Sequence, residues 1–108
     1  MITFKECQAA VKKWNDHNFP IKKAHQPLLG IGEEVGELMH AHLKDEQGIR
    51  GTKEEHTKAK MDAIGDMLVY TFDYANQNGL DVEECFEMAW HEVSKRDWQK
   101  FPKNGRTE

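Results

Sequence analysis

The chain has no apolar run approaching the roughly 18 to 20 residues that a membrane-spanning helix needs, so no bilayer crossing is expected. It begins Met1-Ile2-Thr3-Phe4-Lys5, without the basic start and apolar stretch of a secretory signal, and a cytoplasmic location is expected. Positive charge is not in excess. Fifteen Lys and Arg against 19 Asp and Glu leave a formal charge of −4, which offers no broad electrostatic footprint for a nucleic-acid polymer. Cysteine is scarce: Cys7 and Cys85 lie far apart, belong to no metal motif and read as two buried free thiols. No useful stretch alternates with period two and nothing repeats internally, so sheets and solenoids are not expected.

What is present is a charged, moderately apolar chain of 108 residues, 31% Asp, Glu, Lys and Arg and 38% hydrophobic, enough for one domain with a core. The pattern is that of an all-α protein with four helices. Thr3 and Glu6 have the spacing of a capping box, and Phe4, Cys7, Val11 and Trp14 then mark one helical face as far as about His17, before Asn18-Phe19-Pro20. A second helix is predicted from about Pro27 to Lys44 on the stripe Leu28, Ile31, Val35 and Leu38. Its interior Gly30, Gly32 and Gly36 suggest close approach of another helix or a ligand.

Asp45 to about Glu55 reads as an exposed, mobile loop, and a third helix runs from about His56 to Asn78 with Gly79 as its cap. Asp81 and Glu84 are spaced as a capping box for a fourth, bearing Val82, Phe86, Ala89 and Val93 and reaching about Trp98. The single domain therefore spans 1–98, followed by an irregular tail, 99–108. Trp14 is expected in the core, and Trp90 and Trp98 either in packing or at a chain interface.

The informative residues are acids: Glu33, Glu34 and Glu37 on the second helix, Asp62 and Asp66 on the third. At about 100° per residue, Glu34 and Glu37 lie about 60° apart and Asp62 and Asp66 about 40° apart, so each pair shares a face. Both faces border apolar stripes. Sheltered carboxylates repel one another and lose solvation, a cost that a hard divalent cation offsets by taking their oxygens as ligands; Mg²⁺ suits them, and Mn²⁺ is able to substitute. The simpler alternative is two solvated helix faces, with Glu33 and Glu34 near a helix N-terminus because of its dipole.

Glu33-Glu34-Val35-Gly36-Glu37-Leu38, followed after a loop by Asp62-Ala63-Ile64-Gly65-Asp66-Met67-Leu68, resembles the MazG family of all-α nucleotide pyrophosphohydrolases, over roughly His25 to Trp98. That family carries EExxE followed by ExxD on the next helix. The resemblance implies a Mg²⁺-dependent enzyme that hydrolyses nucleoside triphosphates to monophosphate and pyrophosphate, clears unwanted nucleotides, and assembles as a homodimer or homotetramer. It makes Glu34, Glu37 and Asp66 metal ligands and Glu33 or Glu34 the acceptor of a water proton. The glutamate expected three residues before Asp66 is Ala63, which leaves Asp62 as its stand-in; the alternative is a catalytically silent module that binds nucleotide or protein.

Cations for the departing pyrophosphate are sought in Lys95 and Arg96, or in Lys103 and Arg106 of the tail. Tyr70, one turn beyond Asp66, is a candidate for base stacking or a sugar hydrogen bond, and Asp73 shares its face. Glu37-Leu38-Met39-His40 is one ExxH fragment; a di-iron bundle takes two, so His40 reads as an ordinary histidine. His25-Gln26-Pro27 reads as a turn whose polar groups reach toward a nucleotide.

Overall fold

The computed structural model describes residues 2–106. Among them are α1 (Phe4–Asn18), α2 (His25–Gln47), α3 (Lys53–Gln77) and α4 (Val82–Val93), and no strand. The all-α expectation holds.

Helix α1 starts where the capping box places it. The Glu6 N–H donates to Thr3 Oγ1 at 3.1 Å and the Thr3 N–H donates to Glu6 Oε1 at 3.3 Å, so two otherwise orphaned donors are satisfied. The helix stops before Pro20, after the Phe19 N–H has bonded to Asn15 O at 2.8 Å.

Helix α2 runs past both of its expected ends, and the expected loop from Asp45 to Glu55 shrinks to 48–52. Two local signals account for this. Gly48, at φ 68°, closes α2: its N–H bonds to Asp45 O and the Ile49 N–H reaches back to Lys44 O. Thr52 and Glu55 then form a second capping box, which starts α3 earlier than expected. Asp45 is the third tie. Its carboxylate accepts from Lys53 Nζ at 2.7 Å and from Lys60 Nζ at 2.6 Å, clamping the end of α2 to the first turns of α3.

At the far end of α3, Gly79 at φ 65° turns the chain while the Leu80 N–H bonds to Ala75 O at 2.9 Å. Asp81 caps α4 through the Glu83 N–H at 3.0 Å rather than through a box with Glu84. The helix ends at Val93, short of Trp98, because Asp97 organises a separate set of turns. The Asp97 N–H donates to Gly105 O at 2.7 Å, and its carboxylate accepts from the Gln99 and Lys100 N–H groups. Gly105 is needed for this closure, since a Cβ there would lie 2.9 Å from Arg96 Cβ.

The α2–α3 pair is the body of the fold, antiparallel across a short connection, with Gly30 of α2 against Tyr70 of α3. Helix α1 packs on α3 but not on α2, and α4 packs on α1 and α3. An aromatic ladder joins these elements: the Phe4 ring centroid lies 6.5 Å from Phe72 and 5.7 Å from Phe86, and Phe86 stacks on Trp90 at 6.3 Å. The Gln8 amide bridges the α3–α4 turn, donating to Leu80 O at 2.7 Å and accepting from the Val82 N–H at 2.9 Å.

The apolar core is small, with Ala41, Ala63, Phe72 and Ala75 buried. The chain exposes 8533 Å², whereas a compact monomer of 12.5 kDa exposes about 6,200 Å². Its radius of gyration is 17.5 Å, against about 13 Å for a compact domain of this length. Much of the surplus is apolar. Leu28, Val35 and Met39 on α2, and Met61, Ile64 and Leu68 on α3, are exposed. At about 100° per residue from the helix contact, both rows fall on the side of the hairpin opposite the acids. Both cysteines are free, but Cys7 is only half-buried and Cys85 is exposed, because α4 has no buried residue among those described.

The clamp has a pH signature. Hydrogen bonds from Lys53 and then Lys60 lower the Asp45 carboxyl from its ordinary 3.8 to about 2. Its ionised form therefore adds stability above the ordinary value, and that contribution is lost as pH falls toward the lowered one. Asp45→Asn is expected to lower the urea midpoint at pH 7, with the gap to the wild type closing between about pH 4 and pH 2, followed by circular dichroism.

Candidate functional site

Glu34 sits midway along α2 on the face turned to α3. It is only 9% exposed, and its Oε2 is buried without a hydrogen-bond partner. Desolvation raises its carboxyl above the ordinary range, and the charges of Glu37, Asp66, Asp62 and Glu33 raise it further, in that order. The five acids read from the sequence are thus brought to one place. Among the described residues no three His, Cys, Asp or Glu side chains converge to metal-ligating spacing in this conformation. The cluster is a neighbourhood of carboxylates rather than a closed cage.

Ala63 is 2% exposed and belongs to the α2–α3 core, while Asp62, one residue earlier, is exposed. Tyr70 lies against α2 so closely that a Cβ on Gly30 would meet its ring carbons at 2.6 to 2.7 Å. Any larger residue there would force the ring to move. The ring therefore has α2 backbone on one side, and burial, followed by Glu33, Glu34, Asp66 and Glu37, raises its hydroxyl above the ordinary value. The close approach expected at the other two glycines is not found among the described residues: a Cβ on Gly32 or Gly36 would meet nothing within 4 Å there.

Because α1 stands away from α2, a cleft of about 540 Å³ opens between α1, the connector before α2, and the α2–α3 pair. This is within the range of about 300 to 1,000 Å³ typical of small-molecule sites. Glu33 and Asp66 line it beside Gly30 and Tyr70, and Asp73 and Gln77 continue its α3 wall. Trp14 and Phe19 form the opposite wall, edge to face at 5.8 Å. Trp14 is 55% exposed and so is not the core residue expected; Asn15, one position further on, is buried instead. Lys22 and Lys23 also line the cleft, Lys22 paired with Asp16 at 3.1 Å.

A second cavity, of about 570 Å³, lies on the other side of the cluster. Glu37 and Asp62 line it with His40, Lys44, Arg50 and His56. Buried His56 places Nε2 3.0 Å from Ile49 O, fixing the loop. Arg50 is held at φ 63°, a left-handed conformation unusual for a side-chain-bearing residue. The acids therefore lie between two cavities, each with cations of its own.

Lys95 and Arg96 lie beyond the end of α4 and line neither cavity. Lys95 Nζ is 2.8 Å from His91 Nε2, Arg96 packs at Gly105, and Arg106 pairs with Glu92 at 2.6 Å. Lys103 lines neither cavity. His25 is the first residue of α2 and exposed, and its neighbour Gln26 reaches the cleft. Sequence reasoning passed over Phe19, Lys22, Lys23, Lys44, Arg50 and Gln77. Two of them carried a periodic signal: Gln77, four residues beyond Asp73 and eleven beyond Asp66, and Lys44, seven beyond Glu37 on one row of α2. Phe19, Lys22, Lys23 and Arg50 lie in connectors, where no period applies.

Comparison with protein-family models, with curated proteins and with solved structures finds no match to this chain.

A carboxylate held above its ordinary value destabilises the fold when it ionises, so stability is lost as pH rises past the ordinary 4.5. Glu34→Gln removes that charge. It is expected to raise the melting temperature at pH 7 and to leave it close to that of the wild type at pH 4, measured by calorimetry.

Proposed function

We propose that the chain is a Mg²⁺-dependent nucleoside triphosphate pyrophosphohydrolase, similar to the MazG family, that clears unwanted nucleotides in the cytoplasm. The observation that carries this reading is the desolvated, unpaired Glu34 carboxylate amid four further acids, between two cavities with cations at their walls.

The donors fit a hard divalent cation. All are carboxylate oxygens, and the buried orphan oxygen of Glu34 is a group that such an ion satisfies. Glu34, Glu37, Asp62 and Asp66 would hold it, with Asp62 in the role that Ala63 leaves open. When bound, Mg²⁺ supplies neutralisation of the triphosphate oxygens and acidification of a water molecule. Glu33 faces the cleft, where it would accept the proton of the attacking water, while Glu34 stays between the helices. The nucleoside occupies the cleft against Trp14 and Phe19. The departing pyrophosphate lies in the second cavity, where Lys44 and Arg50 offset its charge, in place of Lys95 and Arg96. The left-handed backbone of Arg50 is the kind of local strain that persists at functional sites.

The working unit in this reading is a homodimer or a homotetramer. The surplus surface, about 2,300 Å² per chain, is of the size that permanent interfaces bury. Gly32 and Gly36, open on the same side as Leu28, Val35 and Met39, allow a second helix to approach closely. The purified protein is expected to sediment at a multiple of 12.5 kDa.

Burial of Ala63 in the helix contact favours a second reading, a nucleotide-binding module without turnover. One assay separates the two. The protein is incubated with Mg²⁺ and a panel of ribo- and deoxynucleoside triphosphates, beside Asp66→Ala, and products are resolved by chromatography. Monophosphate and pyrophosphate, absent with the variant, are expected. Diphosphate with orthophosphate contradicts the proposed bond cleavage, and binding without any product selects the silent module.

A further inference from the structure

Along α3, Asp66, Tyr70, Asp73 and Gln77 follow one another on a single row, and all four line the cleft. Asp66 belongs to the acid cluster. Asp73 stands two turns further on, within about 20° of the same direction and about 10.5 Å along the axis. That rise matches the span of a nucleoside monophosphate from its phosphorus to the hydrogen-bonding edge of its base. The exposed Trp14 and Phe19 rings stand across the cleft, the kind of surface on which a base stacks.

Asp73 is held by Gln77, whose Nε2 donates to Asp73 Oδ1 at 3.0 Å. The Gln77 Oε1 is buried and has no partner. An amide free to turn would not leave its oxygen orphaned, but turning this one would bring that oxygen against the Asp73 carboxylate. The carboxylate thus has a fixed orientation, with Gln77 as its positioning residue, and it presents acceptors only.

We propose, resting on the nucleotide-hydrolase reading above, that Asp73 reads the base and selects one with adjacent hydrogen-bond donors, guanine above all. The N1–H and 2-amino group of guanine match the two oxygens of a carboxylate. Hypoxanthine lacks the amino group. Uracil and thymine set a single N–H between two carbonyl oxygens, which a carboxylate repels. Adenine and cytosine offer an amino group beside an acceptor and fall between these extremes.

The full chain is titrated with GMP, IMP, UMP and XMP in the presence of Mg²⁺, and read by tryptophan fluorescence, to which Trp14 contributes. GMP is expected to bind about tenfold more tightly than IMP or UMP. Asp73→Asn replaces one acceptor by a donor and is expected to favour XMP over GMP, since xanthine carries a carbonyl where guanine carries the amino group. Gln77→Leu is expected to shrink the GMP to IMP ratio while helix content by circular dichroism stays unchanged, an effect that loss of packing alone does not produce. Equal binding of GMP, IMP and UMP, binding of none of them, or an unaltered order in Asp73→Asn overturns the proposal. If Asp73→Asn does not fold, the wild-type GMP to IMP ratio decides. Hydrolysis of the matching triphosphates is followed in parallel. Discrimination without hydrolysis removes the hydrolase and keeps the base reading, and hydrolysis without discrimination does the reverse.

Discussion

A carboxylate lies in the contact between two helices, and the rest of the structure is arranged around that constraint. Glu34 has lost most of its water, has no partner for one oxygen and has four other acids about it. Ionised, such a group pushes α2 and α3 apart. What keeps them together is distributed along the hairpin. Ala41, Ala63 and Ala75 are small and buried, and Gly30 lets Tyr70 lie on the α2 backbone. At one end Asp45 draws in Lys53 and Lys60, and the Gly48 turn and Thr52 cap hold the connection short. The electrostatic cost is local and the compensation is spread out, as is common where a fold maintains a charged site.

The same body is two-sided. Acids occupy one side of the α2–α3 pair and uncovered apolar side chains the other, with the small core between. Helices α1 and α4 cover only the C-terminal part of α3, through the ladder Phe72, Phe4, Phe86 and Trp90. The result is an open chain with more surface than a monomer of its mass keeps, and a cleft where α1 stands off from α2. Both features follow from one shortage: four helices, one of them with nothing buried, cannot close over both sides of the hairpin at once.

Order along the chain was legible wherever a local rule applied. The four helices, the Thr3–Glu6 box, the break before Pro20 and the turn at Gly79 all follow from spacing or backbone preference over a few residues. Thr52 and Glu55 carried the same signal as Thr3 and Glu6, but their charged surroundings resembled a loop, and the connection was read as too long. Asp81 capped its helix through a nearer N–H than the box implies. Val93 ended α4 early for a reason outside the helix, the pull of Gly105 on Asp97.

The clustering of Glu33, Glu34, Glu37, Asp62 and Asp66 was determined by the sequence, because helical periodicity assigns each a direction and a short connection makes the two helices neighbours. Only the tertiary structure decided which of them is buried, since Glu34 and Ala63 meet the opposite helix through packing that no single helix specifies. It likewise moved Trp14 from core to cleft, left Lys95 and Arg96 away from both cavities, and brought in Lys22, Lys23 and Arg50 from segments without a period. Periodicity is a property of one element, whereas a cleft is the space left between several, and its lining depends on how far apart they stand.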